Sequence, residues 1–458
     1  MKQHTVVLVS GTFSMTEQHR TIAIIGGGIL GTMLAYELSF RTSDVKIIVL
    51  EKEDDVARHT SGRNTGVLHR PFYCDPKTKK KFAQCAKESY GFWKAYAEKK
   101  YLPWKEVGTI EVAFDAAGVQ HLQQYKQWSL QNGMRDDEVR LLTPEEVRAI
   151  EPNVRCAGAL LCSTDTAVDF GAFTRALKDD AMKNGVEFLF GCEVKEIIEK
   201  KDEIEIRYRR FITPLTSSYN KRGVDRSLPL KVRGSWRGLH EEGLRVNYLV
   251  NCAGGNALRI AHMMGVAREY ADVNFRGEYR IVEGKSARLA SRNIYTVPRH
   301  SAFPFLDPHY VVRADGRVEI GPTAVPVFGA YAYRGFGESA RSAFQKMCER
   351  PLINKLRLFT NLEFLTLCAQ EWKSALSCRT MVRRVQKFLP ALDIADCRSC
   401  GNAGVRASLI DRNGRFVPEA IEISGSRSLH ILNYNSPGAT GAPAYARLLT
   451  GRILSDKI

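Results

Sequence analysis

The sequence predicts an α/β fold with two parts: a doubly wound, mainly parallel sheet, and a separate α+β unit built on an antiparallel sheet. Short apolar runs of β type alternate with helical stretches along most of the chain, as in α/β proteins. A glycine-rich turn joins the first apolar run to a helix, and residues 274–328 form a strand-rich block with its own turn signals. The chain has 458 residues, enough for two or three compact units.

The glycine-rich turn indicates a Rossmann-like dinucleotide-binding unit. It follows the apolar run 21–25, and Glu51 ends a second apolar run about 20 residues after the turn. The turn reads Gly26-Gly27-Gly28-Ile29-Leu30-Gly31. Gly26 permits a tight turn, Gly28 lets backbone N–H groups approach a pyrophosphate, and Gly31 lets the helix pack closely on the strand. Glu51 is then expected to accept hydrogen bonds from a ribose.

Two further turns indicate a ligand held by distant parts of one domain. The predicted strand 245–251 ends in a turn that contains Ala253 and Gly254, and the predicted strand 429–434 is followed by the glycine-bearing turn 435–441. Because ligands of doubly wound sheets gather at the carboxyl ends of strands, we expect both turns near the first one. Backbone N–H groups at the start of the last helix are expected to stabilise negative charge.

Several segments are predicted to be helical. The hydrophobic periodicity indicates helices at 29–41, 79–100 and 173–184, and over most of 340–390. Within the last segment, residues 352–372 mix Leu and Phe with cations. This stretch fits a buried amphipathic helix, which is the interpretation we favour, or a helix that rests on an anionic membrane.

The charge of the chain favours anionic partners. Its formal net charge is +17, which suits small acids, phosphates, nucleic acid and acidic lipid alike. Basic residues concentrate in the stretch 207–237, together with Pro, Ser and Gly, so we predict a long solvated loop or an extended hairpin there. Aromatic residues are too sparse in this stretch for a stacking platform, and we expect no nucleic-acid partner.

The cysteines indicate a reducing compartment. The 11 cysteines are scattered without a regular framework. Cys397 and Cys400 form a close pair, but no second pair accompanies them at zinc spacing, so we predict no metal site.

The apolar stretches are too short for a bilayer span or a signal peptide. We expect a cytoplasmic location, possible contact with the inner face of a membrane, and a flexible extension at 1–19.

Three separated motifs together resemble a known flavoprotein family. The motifs are residues 26–51, 250–254 and 435–441, and the likeness extends over nearly the whole chain after Thr21. The chain is similar to the family that includes D-amino-acid oxidase, glycerol-3-phosphate dehydrogenase and L-2-hydroxyglutarate dehydrogenase. The loop 61–69 most resembles the flavin-proximal loop of the L-2-hydroxyglutarate dehydrogenase-like branch. Further agreement lies in the segments 275–279, 303–306 with His309, 316–322 and 403–407.

The resemblance implies a D-amino-acid oxidase-like fold with FAD as the bound dinucleotide. It implies a Rossmann-like FAD-binding domain of the glutathione-reductase type, assembled from residues 20–100, 151–265 and 400–458. An antiparallel-sheet α+β substrate domain, made of residues 101–150 and 266–399, is expected to lie over the flavin ring. Covalent and non-covalent attachment of the flavin both stay open.

The resemblance also implies a set of cofactor contacts. The nucleotide motif contributes Gly26, Gly28, Ile29, Leu30, Gly31, Glu51 and Lys52. The flavin-proximal loop contributes Thr60, Ser61, Arg63, Asn64, Gly66 and Val67. The remaining contacts come from Val194, Ala253, Gly254, Gly404, Arg406, Pro437, Gly438, Ala439 and Thr440.

Two histidines are candidates for proton transfer. An alcohol carbon can give hydride to flavin N5 if a base takes the hydroxyl proton, and histidine titrates in the range that this step requires. The candidates are His69 and His309. We favour His69 because the family's matching loop lies against the flavin.

Cations and a tyrosine are the candidates for substrate binding. Arg276 and Arg406 are expected to bind a carboxylate, because a guanidinium presents two donors to two oxygens. Tyr279 is expected to close the pocket or donate a hydrogen bond, with a core role as the alternative. Arg70 stands where the hydroxyglutarate branch has a small residue, so it and Arg63 are expected to contact substrate or flavin phosphate.

These features predict FAD-dependent oxidation of a small 2-hydroxy acid by hydride transfer, with L-2-hydroxyglutarate as the expected substrate and 2-oxoglutarate as the product. The positive charge and Arg70 keep glycerol 3-phosphate as an alternative substrate, and an amino-acid or amine oxidase has the same architecture. A flavin-bearing membrane-surface protein is the non-enzymatic alternative. The expected partners are a small anionic substrate and an electron acceptor, which is a quinone, an electron-transfer protein or oxygen. The sequence leaves the oligomeric state open.

Overall fold

A computed structural model describes residues 20–211, 239–298, 303 and 307–455. The predicted extension 1–19, most of the basic stretch 207–237 and residues 304–306 of the family-like segment lie outside the described residues.

The described chain is a succession of β-strands and α-helices. The strands are β1 (Arg20–Ile25), β2 (Val45–Leu50), β3 (Val67–Leu68), β4 (Trp104–Lys105), β5 (Thr109–Ala113), β6 (Val139–Leu142), β7 (Gly158–Cys162), β8 (Thr166–Val168), β9 (Glu187–Leu189), β10 (Cys192–Glu199), β11 (Ile204–Phe211), β12 (Leu239–Val246), β13 (Tyr248–Asn251), β14 (Ala271–Val282), β15 (Asn293–Thr296), β16 (His309–Val312), β17 (Val318–Gly321), β18 (Val325–Val327), β19 (Cys400–Ile410), β20 (Ile421–Ser424) and β21 (Ser428–Leu432). The helices are α1 (Ile29–Ser39), α2 (Lys80–Lys100), α3 (Ala116–Gln131), α4 (Pro144–Ile150), α5 (Phe170–Lys183), α6 (Ala257–Met263), α7 (Ala340–Met347), α8 (Leu352–Phe359), α9 (Leu362–Leu376), α10 (Cys378–Val385) and α11 (Gly438–Ser455).

The first sheet is the mainly parallel sheet that the sequence predicts, but it is not doubly wound, because helices cover one face and a second layer of strands covers the other. Its strand order is β20-β21-β13-β1-β2-β9, and it is parallel from β21 to β9, with β20 antiparallel at one edge. One face packs on helices α1, α2, α5 and α11, and the other packs on the three-stranded sheet β10-β11-β12. Burial on both faces explains why the central strands are continuous apolar runs rather than alternating ones.

The predicted strand 245–251 is divided into two strands at Asn247. The side-chain Oδ1 of Asn247 accepts a hydrogen bond from the N–H of Thr21 at 2.8 Å, and its own N–H donates to the carbonyl of Thr21 at 2.9 Å. The chain therefore passes from the three-stranded sheet to the first sheet at this residue. β11, which contains the first residues of the basic stretch, and β12, which follows the stretch, are antiparallel partners.

The second sheet is the antiparallel layer that the strand-rich block predicts. Its order is β18-β14-β17-β16-β15-β5-β7-β6, and β19 also pairs with β14. The β15–β5 pair is parallel, and the other pairs are antiparallel. β14 is the longest strand and pairs with β17, β18 and β19, so it carries residues from the sheet centre toward the first sheet.

Two strands of the second sheet come from ranges that the sequence analysis gives to the FAD-binding domain. These are β7, from the range 151–265, and β19, from the range 400–458. The sheets do not follow the predicted boundaries at these two places, and the division of the chain into domains stays a prediction.

Helices fill the predicted segment 340–390 as α7 to α10. Met381 and Phe388 are buried there in the core beneath the second sheet. Within the part of the chain that the structure describes, no helix is both long enough and apolar enough to cross a bilayer. The 11 cysteines are all free thiols.

Candidate active site

A cleft opens where the carboxyl ends of β1, β13 and β21 meet the second sheet. Its walls come from the three glycine-bearing turns, from the loop between β2 and β3, and from β14 and β19. The predicted residues that line it are Gly28, Ile29, Leu30, Thr60, Ser61, Arg63, Asn64, Val67, His69, Gly254, Tyr279, His309, Gly404, Arg406, Pro437, Ala439 and Thr440. The fold therefore gathers most of the predicted site residues around one cavity.

The first glycine turn forms a close-packed cradle. Gly26 has φ = +109°, and a Cβ there would lie 2.5 Å from the carbonyl oxygen of Cys252. A Cβ on Gly31 would lie 2.0 Å from the carbonyl oxygen of Gly26. Helix α1 therefore begins tight against the sheet, with its first residues in the cleft wall. The exposed N–H groups of such a helix start favour a phosphate, so the cradle fits a pyrophosphate.

Ser61 connects the loop that precedes β3 to this helix start. Its Oγ accepts a hydrogen bond from the N–H of Ile29 at 2.9 Å. A serine hydroxyl still has a proton to donate after it accepts one bond. Ser61 can therefore hold the start of α1 and bind a phosphate oxygen at the same time.

Glu51 stands at the carboxyl end of β2 with 9% of its surface exposed. One carboxylate oxygen accepts the N–H of Gly27 at 2.7 Å, and the other accepts the N–H of Glu53 at 2.9 Å. An ionised carboxylate has about four acceptor positions. The two backbone bonds orient Glu51 beside the turn and leave positions for the hydroxyls of a ribose.

The flavin-proximal loop packs against β19. The hydroxyl of Thr60 donates to the carbonyl of Val405 at 2.8 Å, and a Cβ on Gly404 would lie 2.1 Å from the carbonyl oxygen of Arg63. The Asn64 side chain accepts the N–H of Gly66 at 2.8 Å and holds the turn before β3. These contacts connect the two sheets along one wall of the cleft.

Some predicted cofactor contacts lie beside the lining rather than in it. Chain neighbours of lining residues are Gly31, Gly66, Ala253 and Gly438. Gly26, Glu51, Lys52 and Val194 are not in the lining. The Nζ of Lys52 lies 3.7 Å from the ring centroid of Tyr331, and Val194 is buried beneath the first sheet, with its carbonyl accepting a bond from Arg259.

His69 is paired with an aspartate that the sequence analysis missed. β3 and β8 are antiparallel with Leu68 opposite Thr166, so the next residues along, His69 and Asp165, meet. The Nδ1 of His69 lies 3.0 Å from Oδ2 of Asp165, and Asp165 is fully buried. A carboxylate accepts the Nδ1 proton, which leaves Nε2 of the neutral ring as a lone-pair base.

Asp165 is itself held by other donors. It accepts the N–H of Arg70 at 2.6 Å and the hydroxyl of Thr109 at 2.8 Å. It lies in the short connection between β7 and β8, far from His69 in the chain, and no local motif marks it. Only the pairing of β3 with β8 brings the two residues together.

His309 lies close to His69, and the Tyr295 ring contacts both histidine rings. The ring centroid of His309 is 3.7 Å from that of Tyr295, and the two rings are parallel within 3°. Burial, with the nearby His69 as a smaller cause, lowers the pKa of His309 to about 3. Such a weak base is poorly matched to proton abstraction near neutral pH. The low pKa of His309 and the contact of His69 with Asp165 keep His69 as our candidate for the base.

Arg406 and Tyr279 bring a cation and a phenol into the cleft wall. Arg406 lies on β19 opposite Phe275 of β14. Burial lowers the pKa of Arg406, and the charges of Tyr279 and Glu371 oppose that effect. Burial raises the pKa of Tyr279 to about 12, so its hydroxyl keeps its proton. A buried guanidinium and a phenol donor together suit a carboxylate.

Arg276, the other arginine chosen for carboxylate binding, does not line the cleft. Its Nη1 donates to the carbonyl oxygen of Ala332 at 3.2 Å and to that of Gly335. Its Nε lies 2.8 Å from a carboxylate oxygen of Glu278. The guanidinium therefore makes its contacts within the protein, and Glu278 is its ion-pair partner.

Arg70 also points away from the cleft. Its Nη2 donates to Oε1 of Glu138 at 2.9 Å, and its guanidinium lies 4.4 Å from the ring centroid of Tyr90. Both members of this ion pair are buried. The extra cation that the sequence analysis places near the flavin is thus neutralised by the protein itself.

Comparisons with known sequences agree with this arrangement. The family described as "DAO: FAD dependent oxidoreductase" matches residues 21–452. A mitochondrial L-2-hydroxyglutarate dehydrogenase of Mus musculus is 31% identical over 430 residues, which is 93% of this chain and 86% of the relative. The Homo sapiens protein of the same name is 30% identical over 97% of this chain and 91% of its own length. An Escherichia coli L-2-hydroxyglutarate dehydrogenase is 28% identical over 92% of this chain and 89% of its own length.

Solved structures share the fold. An L-alpha-glycerophosphate oxidase from Mycoplasma pneumoniae with FAD bound has a TM-score of 0.69 and 20% identity, and the match covers 95% of this chain and 94% of that one. A glycine oxidase from Geobacillus kaustophilus has a TM-score of 0.63 and 18% identity, with 95% and 94% covered. Because the family match extends over residues 21–452, this chain belongs to the FAD-dependent oxidoreductase family and has FAD as its cofactor.

Proposed function

We propose that this protein oxidises L-2-hydroxyglutarate to 2-oxoglutarate. The observation that carries the proposal is the likeness, over nearly the full length, to relatives named for that activity. The cleft supports it chemically, because a histidine base and a buried guanidinium line the same cavity. FAD, when bound, supplies the acceptor that takes hydride from the alcohol carbon.

His69 takes the hydroxyl proton in this proposal. Its Nε2 is the free base position because Nδ1 is committed to Asp165. The carboxylate fixes the tautomer and stabilises the imidazolium that forms as the proton arrives. Asp165 is therefore a positioning residue, and His69 is the catalytic base.

Arg406 binds a substrate carboxylate in this proposal, and Tyr279 donates a hydrogen bond beside it. A carboxylate that enters the cleft offsets the desolvation that lowers the pKa of Arg406. A planar guanidinium orients an acid more strictly than a lysine does, which suits an alcohol carbon that must face one side of a flat cofactor.

Glycerol 3-phosphate is a weaker candidate. The cation that suggested a phosphate substrate is Arg70, and its ion pair with Glu138 leaves it little capacity for a phosphate. The fold shared with a glycerophosphate oxidase does not distinguish substrates, since one architecture hosts many. An amino-acid or amine oxidase stays a candidate on the same fold-level ground.

An anaerobic substrate panel tests the proposed reaction. Purified holoenzyme is mixed with L-2-hydroxyglutarate, D-2-hydroxyglutarate, glycerol 3-phosphate and L-glutamate, and flavin absorbance is followed. We expect rapid bleaching with L-2-hydroxyglutarate alone. Bleaching by glycerol 3-phosphate, or by L-glutamate with ammonia release, would replace the proposal with the corresponding alternative.

We also infer that the segment α7 to α9 rests on the inner face of an anionic membrane. The supporting observation is helix α8, which exposes three apolar side chains and buries two polar ones, while Leu358 packs in the core. It exposes Leu352, Ile353 and Leu356 by 42%, 52% and 59%, while Asn354 and Lys355 are buried. Exposed apolar patches of this kind mark interaction surfaces.

The charge around this patch selects the kind of surface. Other exposed apolar residues of the segment are Phe344, Met347, Leu362, Leu365 and Leu376. Exposed cations between them are Arg341, Arg350, Arg357 and Lys373, and the exposed carboxylate Glu363 lies among them. Apolar side chains mixed with cations suit an interface with acidic lipid, and a membrane quinone would then be the electron acceptor.

Vesicle sedimentation tests this contact. Holoenzyme is spun with vesicles of phosphatidylglycerol and phosphatidylcholine at low and high salt, and Leu356→Glu is compared with Leu448→Glu, an equally exposed leucine on α11. We expect the first variant alone to lose binding. Equal behaviour of the two variants would contradict the contact.

A further inference from the structure

Residues 328–337, which follow β18, form a loop that we call the clasp. The loop is closed by a hydrogen bond from the N–H of Phe328 to the carbonyl of Phe336 at 2.8 Å. Although it follows a strand of the second sheet, its contacts reach two glycine-bearing segments of the nucleotide-binding unit. These are the loop 51–63 and the turn 254–256.

The first contact is made by Tyr333. Its hydroxyl lies 2.6 Å from Nδ1 of His59, and Nε2 of the same histidine lies 2.8 Å from a carboxylate oxygen of Glu53. The guanidinium of Arg63, a cleft-lining residue, lies 4.4 Å from the centroid of the Tyr333 ring. One tyrosine is thus bonded through its hydroxyl and covered on its face by the loop that follows Glu51.

The second contact is made by Tyr331. Asn256 donates to its hydroxyl, so the clasp is bonded to the turn after β13. The Nζ of Lys52 lies 3.7 Å from the centroid of its ring, and the His59 ring lies 4.5 Å away. Burial and the charges of Glu51 and Glu53 raise the pKa of Tyr331, which agrees with a position near the ribose-binding carboxylate.

The backbone of the clasp lies close to the turn 254–256 on one side and to Arg276 on the other. A Cβ on Gly255 would lie 2.9 Å from the Cβ of Ala330, so a larger residue would push the clasp away from the turn. From the other side, Arg276 donates to the carbonyls of Ala332 and Gly335. The buried arginine therefore holds the clasp in this position.

We propose that the clasp is part of the FAD-binding site and retains the adenosine half of the cofactor. Tyr331 bridges the loop 51–63 and the turn 254–256, and Tyr333 fastens the clasp to the loop 51–63. In this proposal the dinucleotide lies between the two segments, and FAD leaves when these contacts open. The clasp contributes no residue to the chemistry at His69, so its effect is on retention of FAD and not on the turnover of saturated enzyme.

The release rate of FAD tests the proposal without any substrate. Holoenzyme is diluted, and the rise of free-flavin fluorescence is followed for Tyr331→Ala, for Tyr333→Phe, and for Tyr101→Ala, whose side chain is 96% exposed. Loss of one bridging hydrogen bond or cation–ring contact is expected to speed release by about tenfold. We expect this in both clasp variants and not in the control.

Tyr333→Phe is the conservative variant of the pair, because it removes one hydroxyl and keeps the ring. It therefore tests the clasp even if Tyr331→Ala fails to fold. Release rates within about twofold of the parent protein in both clasp variants would overturn the proposal. Flavin that stays with acid-precipitated protein would also overturn it, because a covalently held cofactor has no need of a clasp. Neither outcome depends on which acid the enzyme oxidises, so this test and the substrate panel can fail independently.

Discussion

The Nδ1 of His69 lies 3.0 Å from the buried Oδ2 of Asp165. Because this bond occupies one ring nitrogen, it decides which nitrogen is free to act in the cleft. The pairing of β3 with β8 fixes both partners on rigid backbone, so the ring is oriented before any substrate arrives. Preorganisation of this kind is what a general base needs.

Replacing His69 by Gln is expected to slow anaerobic flavin reduction by roughly 10² to 10⁴, the usual contribution of a general base. The matched variant is His309→Gln at the other histidine of the cleft. We expect a loss below about tenfold there, because burial holds its pKa near 3 and makes it a weak base. The reversed pattern would make His309 the base.

Replacing Asp165 by Asn is expected to lower kcat by roughly 10² and to leave KM nearly unchanged, because the tautomer of His69 is lost while Arg406 still binds the acid. Thr109→Val is the control, since it removes another donor to Asp165 and keeps the carboxylate. A rise in KM without a fall in kcat would show that Asp165 acts on binding rather than on the base.

The local parts of this site are readable from the sequence. The cradle around Gly26 and Gly31, the acid Glu51 and the start of α11 each depend on a few neighbouring residues with a fixed spacing. The pattern of apolar runs likewise predicts both the mainly parallel sheet and the antiparallel sheet. These features were predicted because the physical constraint and the residues that satisfy it lie in the same short segment.

The remaining parts depend on contacts between distant segments. Asp165 has no motif of its own, and it meets His69 only through strand register. Arg276 and Arg70 are of the residue type expected to bind an acidic substrate. In the folded protein, however, they form ion pairs with Glu278 and Glu138. A sequence gives the charge of a side chain, but its partner depends on packing that local patterns do not determine.

Replacing Gly31 by Ala is expected to give protein with little or no bound FAD, because the new Cβ would lie 2.0 Å from the carbonyl oxygen of Gly26. Gly91→Ala in α2 is the matched control, since no atom lies within 4 Å of its Cβ position. We expect that variant to keep its flavin and gain about 0.5 to 1 kcal/mol of stability. The ratio of flavin to protein absorbance and urea unfolding measure the two effects.

The buried carboxyl of Glu111 is expected to make the free energy of unfolding depend on pH. It is buried on β5 opposite Tyr295, and burial, with the charge of Asp165, raises its pKa to about 8. Since the unfolded carboxyl ionises from about pH 4.5 while the folded one keeps its proton, folding loses stability as the pH rises from about 4.5 to 8. The slope is about 1.4 kcal/mol per pH unit.

Glu111→Gln removes the ionisation from both states, so this loss is expected to disappear. The variant should be more stable than the parent protein at pH 8 and similar to it at pH 4.5, when urea unfolding is measured at both values. Glu98→Gln on the exposed surface of α2 serves as the control. Parallel stability curves for the parent and Glu111→Gln would contradict the raised pKa.

Replacing Arg276 by Ala separates two roles for one residue. If Arg276 binds the substrate, KM rises in enzyme saturated with FAD. If it holds the clasp through Ala332 and Gly335, FAD release speeds up while KM of the saturated enzyme stays the same, and this second pattern is the one we expect. Arg280→Ala, on the same strand and bonded to the carbonyl of Arg398, controls for loss of an arginine from β14. A higher KM with unchanged FAD release would return Arg276 to the substrate site, because only contact with the acid itself would change affinity and leave the cofactor in place.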